Sequence, residues 1–569
     1  MTATTSTGIA ADGSGTSDGK AGFWRALPDA NSTTWVYLLI ASLAAIHLSM
    51  VFGRSINGDE FWFYNQVEIV GRGEAIQTLQ TIHTRFFSWW LPAMPGNEID
   101  HIIIARMFML VCLGFAGFGI YRIAREFGDH RAALLASAAY IGAGYVLHHG
   151  TSFRVDPIVT ALLINALAVA IRSELSVRSI LLLGVLVGCA AMVTIKFVLW
   201  APAFAGAALW RWHALGYDWK YIARWFGAGA IALAVFAVLF TLHGMSQGID
   251  GAGDSAAGTL TNSGGRVFGL NDIIYFKILG TAASNSLPLA IMTLLAVFSL
   301  PSSSLPLARK FAVLGFAAIA LTPVYYSSSS PYAYVFFLAP VAAVTALVIP
   351  KVANRYSYAG IAGAIAVCSL AVWAVERRDV LPEQHKLIDA VHAAFPEPVP
   401  YFDCCGMIGS FQKANGFRSQ WGVRQYLATG EPQFLNQMKA MAVPLAVDNN
   451  DDFSPLFGED AAEKEADFHP EDAKALQENF IQFWGDIWIA GAELAPGATR
   501  TWSMLVPGTY TVEGEMSVNG RAYADGDLVD LKRGDAVLQN SSENAARLVW
   551  GKNPQRPDFD PPEEIWTSF

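Results

Sequence analysis

Apolar runs long enough to cross a bilayer recur along the first two thirds of this chain, and they constrain its fold more than any other feature. A spanning helix needs roughly 20 apolar residues, fewer where neighbours shield one end. Eleven runs approach that length: residues 33–52, 102–121, 132–147, 157–171, 179–195, 197–210, 225–242, 286–300, 311–326, 332–350 and 357–375. Lipid offers a backbone no hydrogen-bond partners, so runs of this kind must satisfy themselves as helices. Charge is nearly absent inside them, and His47 is the titratable group that stands out. Over the whole chain only 15% of residues are charged, against about 25% in soluble domains. A disordered protein, a coiled coil and a wholly soluble enzyme are thereby excluded.

The basic residues fix an orientation. With the N-terminus inside, the inner loops carry Arg122, Arg125, Arg131, Arg172, Arg178, Arg211, Lys220, Arg224, Arg309, Lys310, Lys351 and Arg355, and the short outer loops only Arg154 and Lys196. Twelve against two obeys the positive-inside rule. Residues 1–32, rich in Ser, Thr, Gly and Asp, read as a disordered cytoplasmic tail without the pattern of a signal peptide. An odd number of spans places the tail at 377–569 outside, in the periplasm of a Gram-negative cell. The expected localisation is therefore the cell (inner) membrane, multi-pass.

Two outer loops are long. Loop 53–100 carries Phe61-Trp62-Phe63-Tyr64 and Phe86-Phe87-Ser88-Trp89-Trp90-Leu91, an aromatic pattern expected of helices lying in the membrane interface. Loop 243–285 starts Gly-rich and continues into a short helix near Asn271–Leu279; it reads as a lid. The tail carries a net charge of −14 (16 Lys+Arg, 30 Asp+Glu) against +4 (22 and 18) for residues 1–376. That argues against a nucleic-acid partner. Residues 377–394 and 460–480 look helical. Trp488-Ile489, Thr501–Val506, Thr509–Glu515 and Leu528–Leu531 read as strands, split by Pro507-Gly508, Asn519-Gly520 and Asp525-Gly526. The tail is thus expected to be an α+β domain ending in a small β-sandwich. Cys404 and Cys405 read as two free thiols more readily than as a vicinal disulfide, whose geometry is restrictive.

Ionisable groups at mid-membrane mark transporters and pumps. Here the polar residues gather at the outer face instead. Gly58-Asp59-Glu60 follows the first span, where the pair reads either as a helix cap with an acidic first turn or as a source of a general base. His148-His149-Gly150-Thr151-Ser152-Phe153-Arg154-Val155-Asp156-Pro157 joins spans three and four, and Asp before Pro reads as a helix cap. Adjacent histidines point apart, so they make a poor metal site. Thr194-Ile195-Lys196 offers either an interfacial Lys or a phosphate contact. His83, Arg85, Tyr325-Tyr326 and Pro331-Tyr332 lie on the same side. No phosphate-binding glycine loop and no serine elbow occurs.

This layout resembles the GT-C glycosyltransferases. The carriers are Asp59-Glu60 beyond the first span, Phe153-Arg154-Val155-Asp156 after the third, Ile104-Ala105-Arg106 through Tyr121-Arg122-Ile123-Ala124-Arg125-Glu126-Phe127-Gly128, Ala191–Lys196 and Ser328–Pro340. Within that superfamily the lipid A aminoarabinose transferases and the protein O-mannosyltransferases look most similar. The resemblance covers residues 33–376; the tail matches no member. It implies a membrane catalytic domain over 33–376, a polyprenyl-phosphate-linked sugar as donor, and inverting transfer on the outer face to a glycolipid, lipopolysaccharide or polysaccharide. Asp59 would be the base or the acceptor-orienting carboxylate, and Glu60 and Asp156 would position the acceptor or a metal. Arg154, Lys196 and Arg85 would bind the donor phosphate. His83, His148, His149, Tyr326 and Tyr332 would contact acceptor or sugar. A divalent metal is left open, with Asp59 and Asp156 as its ligands. The rivals are a protein O-glycosyltransferase of the same superfamily and a lipid-linked sugar transporter or flippase.

Overall fold

The structure is a computed structural model. It describes residues 28–76, 82–246, 273–326, 329–450, 453, 456 and 467–566. Most of the N-terminal tail and most of the lid expected at 243–285 fall outside these residues.

The membrane part runs α1 (Thr33–Gly53), α2 (Gly58–Gly71), α3 (Ile82–Ser88), α4 (Glu98–Ala124), α5 (His130–Ile141), α6 (Gly144–His149), α7 (Val155–Arg172), α8 (Val177–Val193), α9 (Ala201–Ala214), α10 (Trp219–Ser246), α11 (Ile273–Asn285), α12 (Leu287–Phe298), α13 (Leu307–Ala317), α14 (Thr322–Tyr325), α15 (Tyr334–Thr345) and α16 (Ile349–Ala374). All eleven apolar runs are helical. Six helical segments are long and apolar enough to cross a bilayer alone: Thr33–Gly53, Glu98–Ala124, Val155–Arg172, Trp219–Ser246, Leu307–Tyr325 and Ile349–Ala374. The pair α11–α12, bent by 99°, makes a seventh candidate. By length and composition the chain is a polytopic membrane protein with six or seven spans among the described residues, fewer than the eleven read from hydropathy.

The shortfall has a physical cause. α5 is alanine-rich and buried among other helices, so hydropathy alone marks it as lipid-facing when neighbours cover it. It ends at Gly142, where the Ser369 hydroxyl donates to the Gly142 carbonyl at 2.9 Å. A Cβ on Gly142 would meet that hydroxyl at 2.5 Å. The helix therefore breaks where α16 approaches.

Beyond the membrane part lie α17 (Val380–Ala394), α18 (Gln420–Thr429), α19 (Gln433–Ala440) and α20 (Pro470–Asn479). With them come β1 (Tyr401–Phe402), β2 (Leu445–Val447), β3 (Phe480–Trp484), β4 (Ile487–Leu494), β5 (Thr499–Met504), β6 (Gly508–Glu513), β7 (Met516–Val518), β8 (Arg521–Tyr523), β9 (Leu528–Leu531), β10 (Gly534–Gln539) and β11 (Ala546–Trp550). One sheet has the order β1-β2-β4-β11-β6-β9 with β3 also on β4; the other is β5-β10-β7-β8. Their inner faces bury Leu494, Val512 and Leu548 against Trp502, Met516 and Leu538. That is sandwich packing. The expected strands are present as parts of β4, β5, β6 and β9. Of the helix expected at 460–480, the described part is α20. Cys404 and Cys405 are buried free thiols.

The outer loop and the tail share one core. Phe61, Tyr64, Phe87 and Ile102 pack with Leu387, Val391, Tyr401 and Cys405. This corrects the reading of α2 as an interfacial helix, because its Phe61 and Tyr64 point into protein. The helix is saturated with aromatic residues because it is a hub between layers. In the second aromatic run Phe87 and Leu91 are buried as well, and Trp89 faces outward, 81% exposed. Two polar ties reinforce the seam: Ser410 donates to Glu98 at 2.6 Å, and Gln384 bridges the Ile56 N–H and C=O at 2.9 and 2.7 Å.

The contrast between buried and exposed tryptophans gives a test. Trp502→Ala empties the sandwich core and is expected to cost about 3–5 kcal/mol. Trp89→Ala is expected to stay within about 0.5 kcal/mol. Denaturation of the purified chain followed by tryptophan fluorescence compares the two.

Candidate active site

The site begins with a buried carboxylate. Asn57 caps α2 and Glu60 returns the bond, a reciprocal capping box. Glu60 also takes two bonds from Arg106 on α4, at 2.8 and 2.7 Å, and the Phe153 N–H at 2.7 Å. Arg54, at the end of α1, lies 3.8 Å from it and donates to Ser152 at 3.1 Å. Burial alone would lift the Glu60 carboxyl above its ordinary range; the Arg106 and Arg54 guanidiniums overcome it and hold the group at about 2. Glu60 is fully buried and its oxygens are spent. It cannot position an acceptor or a metal, as its motif implied; it is a pillar. Arg106 and Arg54 were missed as candidates because each looked like an ordinary charge at a span's edge.

One residue away, Asp59 points elsewhere. It forms an ion pair with Arg154. Arg154 also contacts Asp156 at 3.4 Å, and Lys196 reaches the other Asp156 oxygen at 3.2 Å. The Arg154 guanidinium lies 3.5 Å from the centre of the Tyr332 ring, with Lys196 5.1 Å from the same ring. Asp59, Arg154, Asp156, Lys196 and Tyr332 are thus brought together from four segments. Asp156 lies in the first turn of α7, whose cap residue is Arg154. Its side chain binds cations, which corrects the expectation of a cap. Burial would discharge Arg154 and Lys196; Asp59 beside the first and Asp156 beside the second push both groups' pKa values upward instead. Asp59 keeps 20% of its side chain exposed, Asp156 only 1%. Asp59 is the carboxylate that a substrate can reach.

The other candidates divide. His149 stands edge-on to Tyr332, ring centres 6.4 Å apart, while His148 turns to Glu376 at 2.7 Å; the two imidazoles lie 6.1 Å apart, tilted by 41°. Tyr326 is buried, edge-on to Phe337 with ring centres 6.4 Å apart. His83 is buried among Phe63, Phe87 and Phe153, with ring centres 4.9–5.3 Å away. Burial drives its pKa down to about 3, with Asp156 opposing and Arg154 assisting, so the ring is neutral. Arg85 is not part of the cluster. It donates to His243 at 3.2 Å and to Ser246, at the end of α10. No trio of His, Cys, Asp or Glu among the described residues converges on a metal position. Asp59 and Asp156 enclose a guanidinium instead, so the residues present do not fit a metal ion.

A scan of protein-family models and a search of curated proteins find no match. Solved structures do match. The chain aligns with ArnT from Cupriavidus metallidurans bound to undecaprenyl phosphate at TM-score 0.54 and 15% identity, over 75% of this chain and 95% of the other. The chain therefore shares the fold of that structure. The apo oligosaccharyltransferase of Archaeoglobus fulgidus aligns at TM-score 0.50 and 10% identity, over 78% of this chain and 72% of that one. The likeness to ArnT spans 75% of this chain, more than the stretch 33–376 that carries the motifs.

The pillar makes a sharp prediction. Glu60→Gln leaves Arg106 buried without its partner and is expected to cost about 3–5 kcal/mol, whereas Glu60→Gln combined with Arg106→Met recovers much of that loss. Thermal denaturation in detergent reads both. The sign with pH follows: the Glu60 carboxyl is held at about 2, below its ordinary 4.5. Its contribution is full above 4.5 and is lost as pH falls toward 2.

Proposed function

We propose that this chain is an inverting glycosyltransferase. It moves a sugar from a polyprenyl-phosphate donor to a cell-envelope acceptor (a glycolipid, lipopolysaccharide or polysaccharide) on the outer face of the membrane. The observation that carries the reading is the convergence of Arg154 and Lys196 on buried Asp156 beside the reachable Asp59. The GT-C fold supports it, as does the undecaprenyl phosphate bound to the similar ArnT structure.

In this reading the acceptor hydroxyl oxygen attacks the anomeric carbon from the face opposite the phosphate. Its proton passes to an Asp59 oxygen. The bond from the anomeric carbon to the phosphate oxygen breaks, and polyprenyl phosphate leaves with the electron pair. Asp59, Arg154, Asp156 and Lys196 start balanced, two charges of each sign. Once Asp59 is protonated, the cluster carries one net positive charge and Arg154 loses its first partner. That surplus appears as negative charge grows on the leaving phosphate, where fixed cations act most strongly. No general acid is needed, because the phosphate is already a good leaving group. His149, Tyr326 and Tyr332 shape the sugar side, with His148 and His83 behind them. The lid role of the long outer loop at 243–285 belongs to this proposal.

Transfer of a labelled sugar from polyprenyl-phosphate-sugar in proteoliposomes tests the chemistry. Asp59→Asn is expected to lose about 10²–10⁴-fold in rate, the usual worth of a general base, while folding as the wild type does. Full activity of that variant sinks the assignment. Comparison of envelope lipids and glycans with and without the protein identifies the acceptor; glycosylated protein as the product favours the O-glycosyltransferase alternative, and relocated donor without a new glycosidic bond favours the flippase.

Sidedness has its own test. An odd number of crossings with an inner N-terminus, seven by helix length or eleven by hydropathy, puts the 377–569 domain outside, on the same side as the site. Alkaline phosphatase fused at the C-terminus is expected to be active and green fluorescent protein dark; the opposite pair of results overturns the topology.

A further inference from the structure

A second polar cavity lies near this cluster, with a volume of about 410 Å³. Its walls come from regions far apart in the chain: Tyr145 and His148 on α6, Thr281 on α11, Glu376 and Arg377 after α16, and Glu564 near the end of the tail. Arg54 and Asn57 line it as well, and Asn57 caps the helix that carries Asp59. The segment bearing Glu564 is anchored. Gln384 donates to the Ile565 carbonyl at 3.1 Å, and the Trp566 indole occupies the space where any Cβ on Gly58 would fall.

We propose that this cavity is a subsite for an uncharged, hydroxyl-rich sugar unit of the acceptor, with the C-terminal domain supplying one wall. The inference rests on the transferase reading and names the acceptor chemistry it requires. Donors and acceptors alternate around the cavity. Glu376 meets His148 at 2.7 Å and Arg54 at 3.8 Å; Arg377 meets Glu564 at 2.7 Å; Tyr145 and Thr281 each bring a hydroxyl to the wall. A phosphate accepts only, and here it would face two carboxylates. A sugar hydroxyl donates and accepts at once, so one hydroxyl can bridge each pair. The Tyr145 ring offers an apolar face to the ring C–H groups. The volume falls in the range of small-molecule sites and exceeds what a single ion needs.

The cavity differs from the Asp59 cluster in one decisive respect. Asp156 shares its two oxygens between two cations, and protonation of Asp59 leaves the cluster positive. In the cavity, Glu376 and Glu564 match Arg54 and Arg377 one to one, and the proposed reaction protonates neither carboxylate. The first arrangement suits a leaving phosphate, the second a neutral sugar.

Saturation-transfer NMR on the full-length protein in nanodiscs tests this with three probes: methyl α-glucoside, N-acetylglucosamine and glucose 1-phosphate. The neutral sugars are expected to give the stronger signals. Glu564→Gln, at the exposed rim, is expected to weaken them about threefold to tenfold, the scale of one lost hydrogen bond, and Thr281→Trp to abolish them by filling the space. Unchanged signals in both variants, or a stronger response from glucose 1-phosphate, overturn the proposal. The transfer assay separates the two readings. Variants that raise KM for acceptor while holding kcat support the acceptor role. Neutral sugar bound in this cavity by a wild-type protein that transfers nothing leaves a sugar site standing while the transferase reading, and the acceptor role with it, falls.

Discussion

Glu60 joins three stretches that are far apart in sequence: its own at 54–60, Arg106 and Phe153. Its carboxylate holds Arg106 on α4, the backbone at Phe153 and the Asn57 cap of α2, with Arg54 of the α1 terminus beside it. Removing such an ion pair from water is costly, and the cost is recovered only when every lone pair is used. Here they are used. The consequence is geometric: with Glu60 pinned inward, Asp59 on the next residue is turned outward, and the loop ending at Arg154 is set opposite it. A pair of adjacent acids that looked equivalent in sequence has been split into a structural member and a reachable one by the pitch of a single helix.

The same division of labour separates the two aspartates that share Arg154. Asp156 is enclosed by Arg154 and Lys196 and acts as a fixed counter-charge. Asp59 reaches solvent and can change its charge. A site built for proton transfer needs both kinds, because a cluster of groups that all titrate together holds no steady field. Tyr332 adds to the holding side: its ring face receives both cations, which stabilises them without adding a formal charge. His83, kept neutral among three phenylalanines, adds polarity without charge.

Much of this was legible in the sequence, and the limits are instructive. The eleven helical runs were visible because hydropathy reports burial in anything apolar; their division into long spans and short covered helices was not, since α5 is apolar through contact with protein. Asp59, Arg154, Asp156 and Lys196 could be chosen because charge is rare at the outer face and each lay in a motif. Their partners could be named only as a group, since pairing depends on which loops meet. Arg85 shows the cost of that limit: it lies among promising neighbours in sequence but turns toward His243 and Ser246. Arg106 and Arg54 show the reverse, since nothing in their local sequence reveals that a buried carboxylate waits for them. In the tail, turns such as Pro507-Gly508 and Asp525-Gly526 located strands β5, β6 and β9, while β1, β2, β7 and β8 escaped notice because two- and three-residue strands leave no period to detect.

The C-terminal domain and the membrane part form one packed body. A tethered module would be expected to meet its neighbour through a modest and largely polar contact. Here the seam is a shared apolar core running from Phe61 and Phe87 to Leu387, Tyr401 and Cys405, with Glu98 buried against Ser410 and His392. Gly58 is glycine because the Trp566 indole presses against it. The residue before Asp59 is therefore fixed by the far end of the chain. Anything that loosens the tail must also loosen the first turn of α2, and with it the position of the carboxylate proposed to take the proton. Coupling of that kind ties the tail to the proposed chemistry, because the segment that walls the cavity also fixes the residue before Asp59.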